Sequence, residues 1–167
     1  MDTLQLSNVT KDCITEIQLD LLKINDTGIF FAPELYIAFK LGIAYSNHKL
    51  EIFGIDKVEW LRETNFRNGG PTDLAFKNEN SIFLFELKIA SKLEKYVADI
   101  KKLKRADSNF KKYFIALADS FSEFSDNRLI GLETKFGDKL IIIGKFSFAT
   151  NRHKTQPFCV TKIYEIK

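Results

Sequence analysis

Apolar residues recur at helical spacing near the start of the chain, at Ile14, Ile17, Leu21 and Ile24, and the pattern stops at the Asn25-Asp26-Thr27-Gly28 breaker. The period predicts a first helix over Val9 to Ile24. A second helix is expected to open at Pro33, whose missing N–H costs nothing in a first turn, and to run through Ile37, Leu41 and Ala44 to about Asn47. From Leu50 to Thr64 the pattern alternates as in a strand, broken by Gly54, and Arg67-Asn68-Gly69-Gly70-Pro71 reads as a turn. Leu74 to Phe76 and Ile82 to Ala90 are expected to form a hairpin across the polar Lys77-Asn78-Glu79-Asn80 connection.

Beyond the hairpin, Leu93, Tyr96, Val97, Ile100 and Leu103 mark one face of a helix from about Ser91 to Arg105. A strand over Tyr113 to Ala118, a helix between Glu123 and Phe136 closed by Gly137, and strands over Leu140 to Phe148 and Phe158 to Ile166 complete the pattern. This order predicts an α/β fold: a mixed sheet flanked by helices, with antiparallel pairing in the hairpin and a crossover from Ser81 to Ala118. The hairpin's second strand should be central.

At 167 residues the chain suits one domain, since domains most often run to roughly 100 to 150 residues. Its 45% hydrophobic content, with sixteen Phe, supplies enough core to argue against disorder. No repeat at a solenoid period appears, and no apolar run approaches the roughly 20 residues that cross a bilayer. Met1 to Asp12 lacks the basic and apolar regions of a secretory signal, and Cys13 and Cys159 lack CxxC spacing, so the expectation is a soluble cytoplasmic protein with reduced thiols and no membrane partner. The net charge of +3 neither demands nor excludes a polyanionic partner, so local charge has to decide.

The clearest chemistry lies in the hairpin. Asp73 follows Gly69-Gly70-Pro71-Thr72, and Glu86-Leu87-Lys88 ends the apolar run Ile82-Phe83-Leu84-Phe85. Two residues apart on a strand, Glu86 and Lys88 project from one face. Ionisable groups in so apolar a segment cost desolvation energy unless a cation or each other offsets it. Carboxylates are hard ligands suited to Mg²⁺ or Mn²⁺, and a bound metal activates water and neutralises phosphate charge. Lys88 could then stabilise developing negative charge or, if desolvation lowers its pKa, accept a proton. The tripeptide pattern recurs at Asp99-Ile100-Lys101, Glu133-Thr134-Lys135 and Glu165-Ile166-Lys167, but only Glu86 combines an apolar strand with an upstream Pro-Thr-Asp turn. The ordinary structural account is a turn aspartate and an ion pair at a strand end.

These residues resemble the PD-(D/E)XK nuclease superfamily, with its restriction-endonuclease-like fold, over roughly Pro33 to Ala118. Here Thr72 separates the proline from the acid. The resemblance implies that Asp73, Glu86 and the backbone carbonyl of Leu87 hold Mg²⁺ or Mn²⁺, that Lys88 acts at the attacking water, and that Glu34 joins the acids from the preceding helix. Glu34 lies on the face of Ile37, Ala38 and Leu41, although a first-turn Glu is also favoured by the helix dipole alone. The expected organisation is a single nuclease-like domain over 1–167, with N-terminal helices at 9–47, a catalytic core at about 33–118, and a C-terminal helix and strands at 120–166.

The helix after the site carries Lys92, Lys95, Lys101, Lys102, Lys104 and Arg105 against Glu94 and Asp99, a face that attracts a phosphate backbone or is simply solvated. Lys92, Lys95, Lys101, Lys102, Arg152 and Lys154 are the expected nucleic-acid contacts. His153 is a candidate base or a solvated loop residue, and His48 is structural or exposed. The function expected is a metal-dependent endonuclease acting on DNA in restriction, defence or repair, with a homodimer suited to cutting both strands. The alternatives are a non-catalytic nucleic-acid-binding or assembly subunit, and a protein-interaction domain without a nucleic-acid partner.

Overall fold

A computed structural model describes residues 1–25, 28–67, 69–150 and 157–167. Its helices are α1 (Thr3–Asn25), α2 (Glu34–Asn47), α3 (Lys49–Phe53), α4 (Leu93–Arg105) and α5 (Asn127–Phe136). Its strands are β1 (Glu59–Asn65), β2 (Pro71–Lys77), β3 (Ile82–Ile89), β4 (Lys111–Ser120), β5 (Leu140–Ala149) and β6 (Phe158–Ile166). They form one six-stranded sheet in the order β1-β2-β3-β4-β6-β5. Among the described residues only β3 and β4 pair in parallel; the other neighbours are antiparallel.

The parallel pair is joined through α4, since parallel strands need a crossover and the chain has a helical pattern ready between them. Both faces of β3 are consequently covered, which explains its continuous apolar run. On one face Leu74, Phe76, Phe85, Leu87 and Ile115 pack with Ile14, Ile17, Ile37, Leu41 and Tyr45 of α1 and α2. On the other, Ala75, Leu84, Phe114 and Ala116 pack with Tyr96, Ile100 and Leu103 of α4 and Leu129 and Leu132 of α5. The hairpin strand is internal, as expected.

The residues from Leu50 to Phe53 depart from the expected strand and belong to the short helix α3. Five residues hold too little of either period to separate the two, and burial decides. Ile52 and Phe53 turn into the core, with the Phe53 ring 5.0 Å from Phe76 and 4.9 Å from Phe83, and Gly54 ends the helix at φ 72°. Helix α1 begins earlier than Val9 because Asp2 Oδ1 accepts from the Leu4 and Gln5 N–H groups at 2.9 and 3.0 Å. Helix α5 begins later than Glu123 because Asp126 caps it, accepting from the N–H groups of Arg128 and Leu129.

Arg128 also ties the parallel strand ends together. Its guanidinium lies 2.8 Å from Asp126 Oδ2 and 2.9 Å from Asp119 Oδ1, and donates to the carbonyl oxygens of Asp119 and Ser91. Ser91 immediately follows the segment bearing Glu86 and Lys88, so α5 and β4 help fix where that segment ends. Among the described residues no helix is long and apolar enough to cross a membrane, and Cys13 and Cys159 are buried free thiols.

Helix α2 approaches the sheet closely at Gly42, where Trp60 of β1 lies against the helix backbone. A Cβ on Gly42 would come within 2.0 Å of Trp60 Cζ2. Gly42→Ala should therefore lose about 1–3 kcal/mol through overpacking, despite alanine's better helix propensity. Equilibrium urea unfolding tests this, and a stabilised variant would show that Trp60 moves aside without cost.

Candidate functional site

The ladder between β2 and β3 runs from Lys77↔Ile82 to Leu74↔Phe85. Beyond it the strands part, and a side chain replaces the backbone partner: the Leu87 N–H donates to Asp73 Oδ2 at 2.8 Å. On a strand the N–H and C=O of one residue point to the same side, so the Leu87 carbonyl also faces the opening. Strand alternation fixes the faces. Thr72, Leu74 and Phe76 turn one way, while Asp73 and Ala75 turn toward α4; on β3, Leu84, Glu86 and Lys88 turn toward α4 as well. Asp73, Glu86 and Lys88 are thereby brought to one face at the opening.

Glu34 arrives from the opposite layer. Pro33 starts α2 at this end of the sheet, and the Glu34 carboxylate lies 2.8 Å from Lys88 Nζ through Oε1 and accepts from the Ile89 N–H at 3.2 Å through Oε2. It pairs with the lysine rather than with Asp73 or Glu86. Two residues of α4, one turn apart, complete the cluster. Asp99 Oδ2 is 3.4 Å from Lys88 Nζ, and Lys102 Nζ is 2.7 Å from Glu86 Oε1 and also donates to the Pro71 carbonyl.

Lys102, expected among the nucleic-acid contacts, is held inside the cluster with its side chain only 16% exposed. Asp99 was missed as a site residue altogether. The signal was present in the spacing, because both flank the buried Tyr96, Ile100 and Leu103 face of α4. Lys92, Lys95 and Lys101 are exposed. Arg152, His153 and Lys154 lie outside the described residues. The repeated acid-x-lysine patterns separate cleanly: Asp99 and Lys101 are on a helix and face apart, while Glu133 on α5 accepts from Tyr164 Oη at 2.8 Å and pairs with Lys162.

Four carboxyl groups thus share two ammoniums in a largely buried space. Burial raises the pKa of Asp73; the Leu87 N–H opposes this, and Glu34 adds to it. Burial and the neighbouring Asp73 charge push Glu86 up to about 8, and Lys102 offsets them only in part. Asp99 is raised by burial against the pull of Lys88. Burial works against the charged form of Lys88, yet Glu34 and Asp99 together prevail and raise its pKa. Lys88 is therefore an ammonium at neutral pH.

Among the described residues no group of three or more His, Cys, Asp or Glu side chains is placed to hold a metal ion. Asp73, Glu86 and the Leu87 carbonyl are the residues that could hold one here, and carboxylate and carbonyl oxygens are the hard donors that Mg²⁺ or Mn²⁺ takes while retaining waters in its coordination shell.

Outside the cluster, Lys101, Lys104 and Arg105 of α4 line an open groove with Lys135 and Phe136 at the end of α5 and Lys139 in the turn that follows it. Lys101, Lys104 and Arg105 belong to the basic face expected from the sequence, whereas Lys135 and Lys139 join the groove only through packing of α5 on α4.

The folded chain holds the Glu86 proton more tightly than the unfolded chain, so this group's contribution to stability is full below the ordinary glutamate range and is lost as the pH rises toward 8. In the presence of a chelator, stability should fall from about pH 5 to pH 8 by on the order of 2 kcal/mol. Glu86→Gln should remove most of that fall in urea unfolding, whereas an unchanged profile would assign it to another group. No family model, curated protein or solved structure matches the chain.

Proposed function

We propose that the chain is a divalent-metal-dependent endonuclease with a restriction-endonuclease-like fold that hydrolyses phosphodiester bonds in DNA. The observation that carries this reading is the convergence of Asp73, Glu86 and the Leu87 backbone with a charged Lys88 where β2 and β3 part. Such grouping of ionisable side chains is costly in a buried setting, and stability alone gives no reason for it.

Asp73, Glu86 and the Leu87 carbonyl would hold Mg²⁺ or Mn²⁺. The ion supplies an activated water and neutralises phosphate charge. Lys88, paired with Glu34 and Asp99, serves to stabilise negative charge developing on the phosphate. Glu34 and Asp99 orient the ammonium from opposite layers of the fold. Lys92 and Lys95 flank the start of α4, where the helix dipole disfavours cations but welcomes an incoming phosphate. The groove of Lys101, Lys104, Arg105, Lys135 and Lys139 offers a continuation for the nucleic-acid backbone.

A non-cleaving nucleic-acid-binding subunit is the second reading. It is favoured by Lys102, which already occupies Glu86 and the Pro71 carbonyl. Cutting separates the two.

With Mg²⁺ or Mn²⁺ and varied DNA and RNA substrates, the unmodified chain should cut, and Asp73→Ala, Glu86→Ala and Lys88→Ala should each reduce the rate at least ~100-fold. Equal cutting by all three variants would reject the assigned site. Lys104→Ala combined with Arg105→Ala should weaken DNA binding at every sequence and flatten the log K against log[salt] slope by about 2. An unchanged slope would locate the phosphate contacts elsewhere.

A further inference from the structure

Lys102 is separated from its basic neighbours by its surroundings. Lys101, one residue earlier, is exposed, whereas the Lys102 stem crosses from α4 to the opening between β2 and β3. There its ammonium meets Glu86 Oε1 at 2.7 Å and the Pro71 carbonyl oxygen. A carboxylate and a backbone carbonyl are the hard donors that a divalent cation also prefers. A second cation cannot share Glu86 Oε1 at bonding distance without strong repulsion. Lys88 does not compete for that oxygen, because Glu34 and Asp99 hold it 2.8 and 3.4 Å away from their own carboxylates.

We propose that Lys102 is a built-in counterion that holds the metal-free site together and must leave Glu86 before a divalent ion can bind there. This inference rests on the metal-site reading given above. The lysine stem has four rotatable carbons and its attachment point is on the surface helix that bears Lys101 and Lys104, so release moves the charge toward solvent without disturbing α4. Metal loading is then an exchange of one cation for another, and Lys102 sets the affinity without being a ligand.

Calorimetric titration of the full chain with Mn²⁺ tests the exchange. Lys102→Met should bind Mn²⁺ at least about tenfold more tightly than the unmodified chain, since the competing state is removed. Lys23→Met, which deletes one charge on α1, should leave the affinity unchanged. Binding by the unmodified chain with equal or weaker binding by Lys102→Met overturns the counterion role and leaves the metal site standing. Absence of Mn²⁺ binding in every form overturns the metal-site reading and this inference with it.

Should Lys102→Met fail to fold without metal, amine acetylation of the unmodified chain decides the matter. In chelator Lys102 should be modified at least about fivefold more slowly than Lys101, and Mn²⁺ should accelerate it, as a released side chain requires. An unchanged or slower rate with Mn²⁺ overturns the exchange.

Discussion

Charge that cannot be removed to solvent governs the end of the sheet where β2 and β3 separate. Asp73, Glu86, Glu34 and Asp99 present four carboxyl groups to Lys88 and Lys102, and the surrounding core denies most of them free hydration. The opening itself follows from hydrogen bonding. On its other side β3 is held by β4 through Ile89↔Leu117, so it cannot follow β2 as that strand diverges. The N–H freed at Leu87 takes Asp73 as its partner, which draws a carboxylate into the gap and close enough to Glu86 to add to the rise that burial imposes on its pKa.

The same electrostatics link the two helical layers. Lys88 is bound from one layer by Glu34 of α2 and from the other by Asp99 of α4. A solvent-exposed pair of this kind contributes little, but removing one member of a partly buried set leaves an uncompensated charge. Small displacements of either helix are therefore felt at the ammonium. The close approach at Gly42 and the Arg128 tie to Ser91 hold those helices and the end of the β3 segment in place from outside the cluster.

Overall charge gives a poor description of this molecule. The net value of +3 conceals an inward-facing excess of carboxyl groups and an outward-facing excess of lysine and arginine on one helix. Helix α4 carries both, sending Asp99 and Lys102 to the sheet and Lys101, Lys104 and Arg105 to the groove beside α5. On the function proposed above, this division would have a use: the outer face would attract phosphate while the inner face holds the opposing charge.

Much of this was legible in the sequence because it depends on local periods. The hairpin, the helical face of α4 and the last two strands follow from spacings of 2 and 3.6 residues, and Asp73, Glu86 and Lys88 could be assigned to one end of one hairpin from chain order alone. Leu50 to Phe53 was not legible, because four residues satisfy either period and the aromatic packing of Phe53 selected the helix. The partners within the site were also decided only in three dimensions. Lys102 is one lysine among many on a basic helix, and the side chain that reaches Glu86 depends on how α4 lies across the sheet. Sequence determined which groups can carry charge and which backbone period presents them; tertiary packing decided which charges must neutralise one another, because that depends on distance and exclusion of water.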